Sequence, residues 1–205
     1  MNARFGLRGA VSAVLAGTLT LLSGCAAEQA EPRTIVAETL SPGAQQGLLK
    51  LAVSAEQLPP LRKTTDVLSA DDVAAQATLP DLAQTLDTTG FRGGVKVEYR
   101  GDSRRLTGVE SQVLAFSSEE GAAEFVDYLT RNAASFFGDP IKVKPMVIAG
   151  RDGWRIDPPL CGCAGAQPLS AGTLRIGTRV IVLQITGPKA DPRTVQALLS
   201  SSLDA

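Results

Sequence analysis

Residues 106–133 constrain the fold of this chain more than any other stretch. Leu106 to Phe116 reads as a long strand whose second half, Val113-Leu114-Ala115-Phe116, is apolar on both faces and so belongs inside a sheet. Ser117-Ser118-Glu119-Glu120 follows with capping-box spacing. Behind it Ala122, Phe125, Val126, Leu129 and Ala133 recur on one face of a helix. A central strand that runs straight into an amphipathic helix requires a sheet with a helix laid on it.

The flanking segments extend the same pattern. Val95 to Tyr99 alternates with period two, and Gly101-Asp102-Ser103 is a turn. Upstream, Gly43 to Gly47 is loop-like and Leu48 to Val53 is the first apolar cluster, stopped by Leu58-Pro59-Pro60. Ser69-Ala70-Asp71-Asp72 and Pro80 mark two helix starts, the second with Leu82 and Leu86 on one face, and Gly90 and Gly93-Gly94 end that helical part. Downstream, Pro145 places the Ile141–Val147 strand at an edge, and Gly150 to Gly153 is a turn. Leu174–Ile176 and Arg179–Ile185 make a hairpin around Gly177-Thr178. Asp191-Pro192 then opens a closing helix with Val195, Leu198, Leu199 and Leu203 on its apolar side. Such short connections predict an α+β domain, a twisted antiparallel sheet packed against helices. With the helices on one side, a second sheet face or a helix–sheet groove stays open.

The chain before this domain reads differently. Arg4 and Arg8 precede an uncharged, mainly apolar run from Gly9 to Gly24, the layout of a secretory signal. Small and polar residues dilute that run too far for a membrane span, which needs roughly 20 consecutive apolar residues. The run ends in Leu22-Ser23-Gly24-Cys25, which resembles the lipobox of bacterial lipoproteins. The resemblance implies a diacylglyceryl (palmitate-type) anchor on Cys25 and cleavage just before it. The expected organisation is a signal peptide over 1–24, a flexible tether over 25–44 and a single domain over 45–205.

Composition removes several classes of function. The chain contains no His, so Ser-His-Asp and Cys-His arrangements are absent and most zinc and copper sites lose their usual ligand. Without Arg4 and Arg8, 18 basic residues stand against 21 acidic ones, and the basic footprint of a nucleic-acid binder is missing. Cys161-Gly162-Cys163 is the local motif with chemistry of its own. Outside the cytoplasm this even pair reads as a disulfide, with thiol exchange or soft-metal binding as alternatives. Asp71-Asp72, Glu119-Glu120 and Asp152/Asp157 could be paired carboxylates, but acids at helix starts serve the dipole. Arg104-Arg105 and Lys142/Lys144 read as solvated or edge-guarding charges, and Trp154, Tyr99 and Tyr128 as core or pocket rim.

Taken with the Gly90-Phe91 strand entry and the Phe116 to Phe125 corner, the lipobox makes the chain similar to small exported lipoproteins of high-GC Gram-positive bacteria. Mog1/PsbP-like domains and the extracellular sensor domains of bacterial Ser/Thr kinases share this plan. The resemblance implies a fold and an address at the extracytoplasmic face of the cell membrane, and it transfers no functional residue. The leading expectation is a lipid-anchored, non-enzymatic binding or accessory module with no cofactor, meeting an envelope protein or amphiphilic ligand. The alternatives are a thiol-redox or soft-metal lipoprotein using Cys161 and Cys163, and a structural or assembly lipoprotein.

Overall fold

The structure of the chain, a computed structural model, describes residues 40–76, 79, 81–137, 141–156 and 167–204. Among these, the strands are β1 (Arg62–Leu68), β2 (Phe91–Arg100), β3 (Gly108–Phe116), β4 (Val143–Ile148), β5 (Arg151–Ile156), β6 (Leu169–Ile176) and β7 (Arg179–Thr186). They form one sheet in the order β1-β2-β3-β7-β6-β5-β4, with every neighbouring pair antiparallel. The sheet is two meanders, and β7 of the second closes beside β3 of the first. The strand expected from Leu106 begins at Gly108, and Gly108 to Phe116 is central, as the apolar faces of its second half require, while Pro145 lies on the edge strand β4. The helices are α1 (Pro42–Leu49), α2 (Ala70–Ala74), α3 (Leu82–Thr88), α4 (Glu119–Arg131), α5 (Ala133–Phe137) and α6 (Pro192–Ser201).

Successive side chains of a strand point to opposite faces, and both faces here are covered. One carries the row Val95, Val113, Ile181 and Leu174, closed by Leu48 of α1 and Val195 and Leu199 of α6. The other carries Leu114, Phe116, Val180, Trp154 and Ile156, under Val73 of α2, Leu82 and Leu86 of α3, and Phe125 and Leu129 of α4. Each such Leu or Phe contributes about 1.5–3 kcal/mol by leaving water. The fold is the expected α+β sheet with helices, but the helices are not confined to one side. The apolar stripe of α6 and the Leu48–Val53 cluster each need a sheet surface, and α4 has taken the other. Ser111 is buried on the α1 face, where its hydroxyl accepts from the Val53 N–H at 3.3 Å. The Tyr99 hydroxyl donates to the Val53 carbonyl at 2.8 Å, so the turn after α1 is tied to the sheet at both backbone groups.

Several local expectations shift. Gly43 to Gly47 is helix rather than loop: Ser41 caps α1 through the Ala44 N–H and Pro42 starts it, upstream of residue 45. Gly93-Gly94 lies within β2, where Gly93 takes φ 135° at an irregularity in the register, so the strand begins at Phe91. The cap of α4 is Ser118, accepting from the Gly121 N–H at 3.0 Å, while the Ser117 N–H is held by the Gly90 carbonyl at 2.8 Å. That helix stops at Asn132 and α5 restarts at Ala133. Ala149 and Gly150, both at positive φ, make a two-residue turn, so Arg151 to Gly153 is already strand. β1 was not expected at all. Cys25, Cys161, Cys163, Pro80, Gly138-Asp139-Pro140 and Asp157 lie outside the described residues.

Candidate ligand-binding cleft

On the α4 side the helices cover only part of the sheet. α2 and α3 sit at one end and α4 crosses towards β6 and β7. Between them a cavity of about 290 Å³ opens over the central strands. Its apolar wall and floor include Leu82, Leu114, Phe125, Leu129, Trp154 and Val182. Its mouth is polar: Lys96 on β2, Glu110 and Gln112 on β3, Gln184 on β7, and Gln76 just after α2. A smaller hollow of about 60 Å³ continues from it along the sheet, sharing Glu110 and Gln184 and adding Glu98 and Arg100. The two form one cleft, apolar at the helix-covered end and charged at the bare end.

The polar residues are organised by register. Glu98 lies directly opposite Glu110, and Lys96 opposite Gln112. Glu98 forms an ion pair with Arg100. Lys96 lies 3.6 Å from Asp66, its cross-strand neighbour on β1. The Gln112 amide donates to Glu110 at 2.7 Å and to Gln76 at 2.5 Å, bridging the sheet to the end of α2. Among the described residues Glu110 has no ion pair.

The residues singled out from sequence fall in several places. Asp72 completes a capping box with Ser69, whose hydroxyl and backbone N–H hold its carboxyl below the usual carboxylate range, with Lys96 a smaller influence. Asp71 and Glu119-Glu120 stand in first helical turns. Glu119 and Asp152 flank Arg175 at 4.0 and 3.8 Å, a surface network rather than an acid pair. Arg104-Arg105 occupies the exposed loop after β2, and Lys142/Lys144 the β4 edge. Tyr99 is buried on the opposite face, and burial raises its hydroxyl pKa. Burial first, then the Asp81 carboxylate accepting its hydrogen bond at 3.0 Å, pushes the Tyr128 hydroxyl up to about 12. Of the three aromatics Trp154 lines the cavity, and Tyr99 borders the smaller hollow. The cavity does lie beside the Ser118–Ala133 helix. Lys96, Glu110, Gln112 and Gln184 were missed, although polar residues inside a strand as central as β3 were a usable signal. Among the described residues no group of three or more Asp, Glu, Cys or His is placed to hold a metal ion, and no helix is long and apolar enough to cross a membrane.

No protein-family model matches this chain, and no curated protein matches it. Among solved structures it is similar to the extracellular domain of PknH from Mycobacterium tuberculosis, with a TM-score of 0.50 and 14% identity over 80% of this chain and 98% of that one. At that identity the likeness is one of fold.

Proposed function

We propose that this chain is an exported, lipid-anchored binding module whose ligand enters the cleft between α2, α4 and the sheet. The observation that carries the reading is the cavity of about 290 Å³, apolar within and polar at its mouth. Its size is near the lower end of small-molecule sites, which run from roughly 300 to 1,000 Å³ and are mostly apolar with a few placed polar groups. At about 30 Å³ per small group, the share of one water in the liquid, it matches a short acyl chain or small ring system. Binding rather than turnover is favoured because, among the described residues, no Ser, Thr, Cys or Tyr lines the larger cavity and the amine that lines it, Lys96, is engaged by Asp66. Export rests on the leader and on a fold shared with an extracellular domain. Anchoring rests on Leu22-Ser23-Gly24-Cys25, and the even pair Cys161 and Cys163 is proposed as a disulfide.

Titration calorimetry of the full chain with octyl glucoside, below its micelle concentration, tests the cleft. Saturable binding at one site is expected, lost in Val182→Trp, which fills the cavity floor, while circular dichroism stays unchanged. Binding that never saturates, or that survives this substitution, would count against the cleft.

A further inference from the structure

The charges around the cleft point to the head group of its ligand. Among the described residues Lys96 and Arg100 are the cations lining it, and each is already paired, with Asp66 and Glu98 respectively. Asp72 at the start of α2 also acts on Lys96. Arg62, opposite Arg100, lies on the edge strand, two strands from Glu110, and lines neither hollow.

Glu110 is the remainder. It lines both the cavity and the hollow beside it, on a central strand, and its one hydrogen bond among the described residues comes from the neutral Gln112 amide. Its cross-strand neighbour is another carboxylate, Glu98. Like charges directly opposite destabilise a strand pair, and the ion pair of Arg100 is made with Glu98. A ligand placed with its apolar part against Leu129 and Val182 puts its polar end at this carboxylate.

We infer that the cleft takes an amphiphile with a cationic, hydrogen-bond-donating head, an alkylammonium, whose nitrogen sits on Glu110 at the junction of the two hollows. This rests on the cleft being the binding site. An ammonium there supplies the counter-charge that the protein withholds, whereas a sulfate or phosphate head would meet Glu110 and Glu98 with both local cations engaged.

The test compares octylammonium, octyl sulfate and octyl glucoside on the full chain by calorimetry at low salt. Octylammonium is expected to bind tighter than octyl sulfate by about tenfold or more, the scale of one charge-assisted hydrogen bond. Glu110→Gln should abolish the preference for octylammonium over octyl sulfate, and Val182→Trp should abolish all binding. Equal or tighter binding of the sulfate, a preference that survives Glu110→Gln, or octylammonium binding that survives Val182→Trp overturns the inference. Octyl glucoside binding with no charge preference defeats the head-group inference alone. Failure of all three probes defeats the cleft reading with it.

Discussion

Two buried hydroxyls show how local satisfaction sets the sign of a substitution. The Tyr99 hydroxyl donates to the Val53 carbonyl in the core beneath α1. The Thr173 hydroxyl, fully buried on β6 in register between Val182 and Trp154, has no hydrogen-bond partner among the described residues. Leaving a buried polar group unpaired costs about 1–3 kcal/mol, whereas replacing an unpaired one by an apolar group of the same shape removes that cost. Tyr99→Phe should therefore destabilise the fold by about 1–3 kcal/mol in urea unfolding, because Val53 loses its donor. Thr173→Val should be neutral or stabilising. A clear loss in Thr173→Val would mean that its hydroxyl has a partner, and an unchanged Tyr99→Phe would mean that the Val53 carbonyl is satisfied otherwise.

Among the elements, legibility followed burial. β3, α4 and α6 carry their contacts in their own apolar periods, so sequence alone places them. β1 does not: Arg62 to Val67 are all exposed and only Leu68 is buried, so the strand exists because β2 presents an edge to it. α1 buries Leu48 alone and was hidden by its glycines. The cleft was half-legible for the same reason. Phe125, Leu129 and Trp154 announce themselves as wall material, while Lys96, Glu110 and Gln184 look like any solvated strand face until the topology shows β3 and β7 at the centre. Two helical glycines make this contrast measurable. A Cβ on Gly121, in the first turn of α4, would collide with the Thr89 carbonyl oxygen at the end of α3. A Cβ on Gly47 in α1 meets nothing within 4 Å. Helix propensity favours Ala over Gly by up to about 1 kcal/mol at either site. Gly47→Ala should gain up to about that much, while Gly121→Ala should lose about 1–3 kcal/mol through overpacking. A thermal melt of Gly121→Ala at or above the wild-type temperature would refute close packing at the α3–α4 corner.

On the scale of the molecule, the described chain joins the sheet at the end away from the charged part of the cleft. Leu40, where the described chain begins, packs over Gly93 near the start of β2. The charged end of the cleft, at Glu98 and Arg100, is near the end of the same strand. Between Cys25 and Leu40 there are 15 residue steps, at most roughly 50 Å at about 3.3–3.6 Å per residue. A lipid on Cys25 would therefore hold the domain within about 50 Å of a membrane. Two acyl chains suffice for stable attachment at about 0.8 kcal/mol per buried methylene, whereas one is marginal. Expressed in a bacterium with the lipoprotein-processing enzymes, the wild type is expected in the membrane fraction, with a mature N-terminal Cys25 carrying a diacylglyceryl adduct by intact mass. Cys25→Ala should lack the adduct and leave the membrane fraction on high-salt washing, while binding octyl glucoside with unchanged affinity. An unmodified mature chain that starts elsewhere would remove the anchor from this picture. Weakened binding in Cys25→Ala would show instead that anchor and cleft are coupled.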